Sequence, residues 1–307
     1  TAIKLLAATG VVDVISFGSE SGSLKELTEV ACNLCDEKLP KHITELSREG
    51  YSYPRARALA YETLFGPKAN DILSRPNDTL AIEYIKAHSQ LRESGIVLHT
   101  VKRQSSGYSS SFDKSMRFQS ASGLRQAIKD GFDVSGFLPE ESLQTLTSSS
   151  FADIPRIEEN LFNLIRYAVI NLSPEEIDEF PQGGEGIGAK LIDSVSKVKS
   201  LDELIMAAKS KRYTYTRISR LLMQILLGIK RDDFANGEPG YLRLLATNEV
   251  GRKLIRKAKK EELNSLPVLT NINREAQNLP IYAKKQLLLD IRAADTYNIL
   301  AMKSRIA

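Results

Sequence analysis

One passage near the start constrains the fold more than any other. An apolar, β-branched run at residues 11–17 breaks into Gly18-Ser19-Glu20-Ser21-Gly22 and is followed at once by Ser23-Leu24-Lys25-Glu26. A serine with a glutamate three residues on opens a helix, because each side chain satisfies a backbone N–H that the first turn leaves without a partner. The passage predicts strand, glycine-rich turn and helix, in that order. Helices at 40–49 and 54–65 follow, stopped by Gly50 and Gly66, and then a long amphipathic helix at 78–94 with Leu80, Tyr84, Ala87 and Leu91 on one face. Gly95 ends that helix and leads into a second strand at 96–101. Strands joined through helices run parallel, so an α/β domain is expected. A polar loop at 103–114 precedes one more helix at 122–129.

Downstream the texture changes. Thr145, Thr147, Ser148, Ser149 and Ser150 fall in a stretch, 141–152, with neither helical nor strand period, and the domain boundary is placed there. Beyond Ile157 nearly every segment has helical period. Ser173-Pro174 opens a helix that runs to Phe180, Ser200 caps one at 201–210, and 216–229 carries Ile218, Leu221, Leu222, Ile225 and Leu226 on one stripe. The expected domains are an α/β unit over 1–140 and a mainly α-helical unit over 150–307. At 307 residues and 42% hydrophobic, the chain is long enough for each to bury its own core. It opens at Thr1 inside what reads as a helix stopped by Gly10, and sequence upstream is expected.

Several function classes drop out early. No apolar run approaches the roughly 20 residues that span a bilayer, and no signal peptide opens the chain, which points to the cytoplasm. His42, His88 and His99 are scattered and assemble no hydrolytic triad. Cys32 and Cys35 make a single Cys-x-x-Cys, two of the four ligands zinc needs; they are read as buried positions on a helix at 23–38, beside Leu24, Leu27 and Ala31. No metal site is expected from protein side chains.

Three segments are candidates for holding a nucleotide at the carboxyl ends of the strands, where turns present backbone N–H groups to phosphate. Gly18 follows the first strand and lets backbone approach a ligand closely; Arg103 and Gln104 follow the second. Ser120 and Ser122 open a helix whose free N–H groups suit a phosphate, with Arg125 one turn in. Asn77 lies in Ser74-Arg75-Pro76-Asn77-Asp78, where Asn77 or Asp78 serves equally well as a helix N-cap.

The motifs Phe17-Gly18-Ser19-Glu20-Ser21-Gly22, Gly50-Tyr51-Ser52-Tyr53-Pro54, Leu73-Ser74-Arg75-Pro76-Asn77, Ser120-Ala121-Ser122-Gly123-Leu124-Arg125 and Lys211-Arg212-Tyr213-Thr214-Tyr215-Thr216-Arg217 occur in that order. Together they resemble the landmarks of the tRNA(Met) cytidine acetate ligase family, over a span from the first strand to about Val268. The resemblance implies a Rossmann-like nucleotidyltransferase domain, here N-terminally incomplete, followed by an α-helical domain. It implies an ATP-dependent enzyme that makes acetyl-adenylate from acetate and passes the acetyl group to N4 of the wobble cytidine of elongator tRNA(Met), with Mg2+ accompanying ATP. ATP contacts would then fall on Gly18, Asn77, Arg103 and Gln104, with Ser120, Ser122 and Arg125 at the phosphate. The family's His-x-Gly-His signature lies upstream of a strand such as 11–17, and nothing in this chain supplies it, so the chain by itself is not expected to adenylate acetate. Ser109 stands where the family pattern carries histidine.

A second constellation points to RNA. Lys209, Lys211, Arg212, Arg217 and Arg220 crowd one stretch with Tyr213 and Tyr215 and no acidic residue. Cations meet phosphates and tyrosines stack on unpaired bases, although both tyrosines could equally anchor the core. The cluster at 252–260 reads either as a second RNA face or as a solvated helix. A non-catalytic RNA-binding protein and a small-molecule adenylyltransferase are the competing readings.

Overall fold

The computed structural model describes residues 1–51, 53–91, 95–104, 112–115, 118–148, 154–210, 212–234 and 237–301. In the first part, helix α1 (Ala2–Ala8) leads to strand β1 (Val14–Ser19), then to α2 (Leu24–Asn33), α3 (Leu39–Arg48), α4 (Tyr53–Phe65), α5 (Lys68–Ser74) and α6 (Pro76–Ser89). Strand β2 (Val97–Lys102), α7 (Ala121–Lys129) and α8 (Glu140–Ser148) complete it. β1 and β2 pair in parallel, with Val14 opposite Val97 and Ser19 opposite Lys102. The period of two is visible in burial: Ile15, Phe17 and Ser19 turn inward while Val14, Ser16 and Gly18 are exposed. The inward face packs with Leu27, Val30, Ala81, Ile82 and Tyr61 in one apolar core, and α6 lies against both α2 and β1.

Local chemistry explains the boundaries. Ser23 caps α2 by accepting from the N–H of Glu26 at 3.3 Å. Gly22 adopts a left-handed φ of 69°, and a Cβ there would stand 2.7 Å from Cβ of Lys102, so the turn admits glycine alone. Two expectations are corrected. Cys32 and Cys35 are exposed: α2 buries Leu27, Val30 and Ala31, Cys32 lies on its other side, and Cys35 falls beyond Leu34 at the C-cap. The polar stretch from 141 is helical as far as Ser148, with the Thr145 hydroxyl donating to the carbonyl of Glu141 at 2.8 Å inside α8 instead of drawing the backbone into a turn.

The chain divides into two compact units, Ala2–Ser150 and Phe151–Ala307 with Thr1. The second contains α9 (Ile154–Ile170), α10 (Pro174–Asp178), α11 (Ile187–Val195), α12 (Leu201–Ala208) and α13 (Tyr215–Leu227). These pack Ile165, Val169, Ile177, Leu191, Leu204 and Leu221 into a core with no exposure above a few per cent. Ser173 and Glu176 form a complete capping box on α10, Ser200 caps α12 and Thr214 caps α13. Gly183 and Gly188 mark where α10 and α11 meet: a Cβ on Gly188 would stand 2.1 Å from the carbonyl oxygen of Pro174. Beyond this bundle, β3 (Leu242–Arg243) and β4 (Val268–Leu269) form a short parallel pair joined through α14 (Glu249–Lys260), and α15 (Ile272–Glu275) and α16 (Ile281–Leu300) follow.

Candidate functional site

The carboxyl ends of β1 and β2 carry a compact polar cluster. Gly18 stands opposite Val101 on the exposed face of the pair, and a Cβ on it would lie 3.6 Å from Cγ of Arg103. The backbone N–H of Arg103 donates to the carbonyl of Ser19 at 2.9 Å, extending the strand pairing by one residue and directing the guanidinium across the edge. Nη1 of Arg103 reaches Oδ1 of Asn77 at 3.4 Å. Gly18, Asn77 and Arg103, three residues drawn from β1, α6 and the end of β2, therefore meet at one place. Gln104 is exposed beside them.

Asn77 and Asp78 do not cap α6. Arg75 occupies the N-cap position without a side-chain bond and Pro76 is the first helical residue, so the helix starts two residues earlier than the sequence suggested. The capping comes from another loop: the Glu20 carboxylate accepts from Asn77 N–H at 3.3 Å, from Asn77 Nδ2 at 2.6 Å and from Asp78 N–H at 2.8 Å. Burial pushes the Glu20 carboxyl up, but these bonds from Asn77 and Asp78 outweigh it and hold the group below its ordinary value. Asp78, wholly buried, accepts in turn from Glu20 N–H at 2.8 Å and from Ser21 N–H at 3.1 Å, and pairs with Arg75 at 3.7 Å. With Nδ2 of Asn77 committed to Glu20, its Oδ1 is turned toward Arg103. Beneath the loop, Ser19 bonds Thr100 at 2.6 Å and accepts from Gly22 N–H at 3.0 Å.

Ser120, Ser122 and Arg125 belong to a different element. Ser120 is 5% exposed and caps α7 by accepting from Gly123 N–H at 2.9 Å; Ser122 and Arg125 are exposed on its first turns. Ser109 lies outside the described residues.

In the helical unit the basic segment separates into two kinds of residue. Tyr213 is 4% exposed, its hydroxyl donates to the carbonyl of Gly184, and burial pushes its phenol up. It is a core anchor, which corrects the expectation that it stacks on RNA: the ring has no open face. Arg217 stacks 4.3 Å over that ring and donates to the carbonyls of Gln182 and Gly183, so it ties a loop to α13. Lys209, Arg212, Tyr215 and Arg220 are exposed, with the Tyr215 hydroxyl on Asp202 at 3.0 Å. Lys211 lies outside the described residues.

The model of the HIGH nucleotidyl transferase family matches residues 1–306. A tRNA(Met) cytidine acetate ligase of Clostridium perfringens (strain SM101 / Type A) is 33% identical over 318 residues, covering 97% of this chain and 74% of that protein. Another, of Thermoanaerobacter sp. (strain X514), is 33% identical over 313 residues, covering 100% of this chain and 76% of that one. This chain belongs to the tRNA(Met) cytidine acetate ligase family. Among solved structures, Thermotoga maritima TmcAL in its apo form I matches this family member with a TM-score of 0.84 at 26% identity, over 97% of this chain and 75% of that one. The same protein bound with alpha-thio ATP gives a TM-score of 0.82 at 26% identity, over 97% and 74%. The fold is that of a nucleotidyltransferase with a helical domain after it.

Sequence reasoning missed Glu20 and Asp78 as builders of the site. No local signal marks them: their partners lie 57 and 58 residues away, and each by itself reads as an ordinary turn or helix-start carboxylate.

Proposed function

We propose that this chain serves an ATP-dependent ligase that activates acetate as acetyl-adenylate and acetylates N4 of the wobble cytidine in elongator tRNA(Met). The observation that carries the reading is the convergence of Gly18, Asn77 and Arg103 at the carboxyl ends of two parallel strands. Relatives named for this activity and a solved relative bound with an ATP analogue support it.

In this reading Gly18 leaves room for the nucleotide against the sheet, Asn77 and Gln104 offer amide groups to it, and Arg103 offers a positive charge. Ser120, Ser122 and Arg125 meet the triphosphate at the start of α7, where unpaired N–H groups suit an anion. An acetate oxygen bonds to the α-phosphorus as pyrophosphate leaves; N4 of the cytidine then bonds to the acetyl carbon, AMP leaves with the electron pair, and N4 gives up a proton. Mg2+ arrives with ATP as the counter-ion of its phosphates. Exposed Lys209, Arg212, Tyr215 and Arg220, with Lys211, contact the tRNA, and the protein works in the cytoplasm, where tRNA is found. Among the described residues no helix is long and apolar enough to cross a membrane.

The test is in two parts. Calorimetric titration of this chain with ATP should show binding that Arg103→Ala weakens about tenfold or more, since a bond to a charged group is worth about 1.5–3 kcal/mol. The product of the complete reading frame, given ATP, labelled acetate and elongator tRNA(Met), should yield acetylated tRNA, and Arg125→Ala should yield less. No ATP binding and no labelled tRNA would refute the reading; undiminished product from the Arg125 variant would remove that residue from the phosphate site.

A further inference from the structure

The densest positive charge in the helical unit lies on α14. Arg252, Lys253, Arg256, Lys257, Lys259 and Lys260 are all exposed, and among the described residues none of these side chains makes a hydrogen bond or an ion pair. Ala258 is the one residue the helix buries. Glu249 in the first turn and Glu261 at the C-cap bracket the cations without pairing with them. Arg252 with Arg256, Lys253 with Lys257 and Arg256 with Lys260 are like charges four residues apart, each pair repelling on the helix surface. A helix built in this way is relieved by a polyanion.

The contrast with the segment around α13 is direct. There Tyr213 is buried and Arg217 is held by two carbonyls and a ring, so part of that basic signal is spent on the fold. On α14 every cation is free. Twelve helical residues extend about 18 Å, and each strand of a double helix presents a phosphate about every 3.4 Å of helix axis, so several can be met at once. An anionic membrane is the less suitable partner, because an interfacial helix needs a broad apolar face and this one exposes only Val250 and Leu254 beside its charges.

We propose that α14 is a phosphate-binding face for RNA, engaging the backbone of the tRNA. The inference rests on the tRNA reading above and assigns it a surface that the sequence left open between RNA contact and plain solvation.

Affinity of the chain for tRNA, measured by fluorescence anisotropy across a series of KCl concentrations, decides it. The variant Arg256→Gln, Lys257→Gln, Lys259→Gln, Lys260→Gln should flatten the slope of log affinity against log salt by about 0.7–0.9 for each phosphate no longer neutralised, roughly two to four in all, with ATP binding and far-UV circular dichroism unchanged. Lys257→Arg, Lys259→Arg, Lys260→Arg should keep the wild-type slope. If the quadruple variant does not fold, Arg256→Gln alone, which also relieves two like-charge pairs, should flatten the slope by the amount expected for about one phosphate. A wild-type slope in a folded Gln variant overturns the inference while leaving the tRNA reading intact. A wild-type chain that binds no tRNA removes both, and wild-type binding to anionic phospholipid vesicles that tRNA fails to displace assigns α14 to a membrane instead.

Discussion

Glu20 and Asp78 exchange backbone bonds: the Glu20 carboxylate accepts from Asp78 N–H at 2.8 Å, and the Asp78 carboxylate accepts from Glu20 N–H at 2.8 Å. Two carboxylates thereby cap each other's segments, the turn after β1 and the first turn of α6. The start of a helix attracts negative charge and offers unpaired N–H groups, which is why a glutamate from a distant loop can replace the usual serine or asparagine cap. Because Asn77 hangs between Glu20 and Arg103, the clasp also fixes which end of the Asn77 amide faces the candidate nucleotide site.

Removing Glu20 should therefore act on both fold and ligand. Glu20→Ala leaves three donors of Asn77 and Asp78 without their carboxylate. Urea unfolding should show about 2 kcal/mol less stability, and ATP titration a weaker affinity, with Glu20→Gln intermediate in both. Equal stability and equal affinity in the alanine variant would mean that the clasp holds nothing.

The pH dependence of stability has a defined direction. Bonds from the N–H groups of Asn271 and Thr270 lower the Glu275 carboxyl from the usual 4.5 to about 2. A depressed carboxylate contributes stability above its unfolded value and loses it as pH falls toward the folded one, so the contribution is whole above about 4.5 and fades toward 2. Thermal midpoints of Glu275→Gln, followed between those limits, should decline less steeply than those of the wild type. Parallel declines would assign the acid sensitivity elsewhere.

Gly188 should tolerate no side chain. Its missing Cβ is the reason α10 and α11 can meet, since the added carbon would sit 2.1 Å from the Pro174 carbonyl oxygen. Gly188→Ala should lower stability by about 1–3 kcal/mol in denaturant titration, and a cost below about 0.5 kcal/mol would show that the helices can shift apart freely.

The two tyrosines of the basic segment should separate cleanly. Tyr213→Phe removes the hydroxyl bond to Gly184 and should lower stability by about 1 kcal/mol while leaving tRNA affinity as it was. Tyr215→Ala removes an exposed ring and should weaken tRNA binding by about 1–3 kcal/mol, the worth of one stacked base, at near-normal stability. The reverse pattern, read by anisotropy and unfolding on the same samples, would place the RNA contact elsewhere.

Much of the architecture was legible because its signals are local. The Ser23 cap, the glycine stops at Gly50 and Gly66, the period of two through Ile15 and Phe17 and the stripe of Ile218, Leu221, Leu222 and Ile225 each act within a few residues. That Gly18 and Arg103 stand side by side was legible for a related reason, since each directly follows or ends one of two strands that a helical crossover sets in parallel. What escaped depends on distance or on direction around a helix. Glu20 acts on residues far along the chain. Cys32 is one position past Ala31, about 100° around α2, and that rotation takes it out of the core. Tyr213 and Tyr215 flank the Thr214 cap of α13, and the turn into the helix sends the first ring inward while the second stays exposed.

Parallel sheets are ordinarily covered on both faces, yet Val14, Val97 and Val101 of the β1–β2 pair are each more than half exposed. A ribbon of two strands with oily residues on its open side is a poor boundary with water. The first unit of this chain should be the part that sets how concentrated a preparation can become, and making Val14 and Val97 polar, at the far end of the ribbon from Gly18, should raise that ceiling.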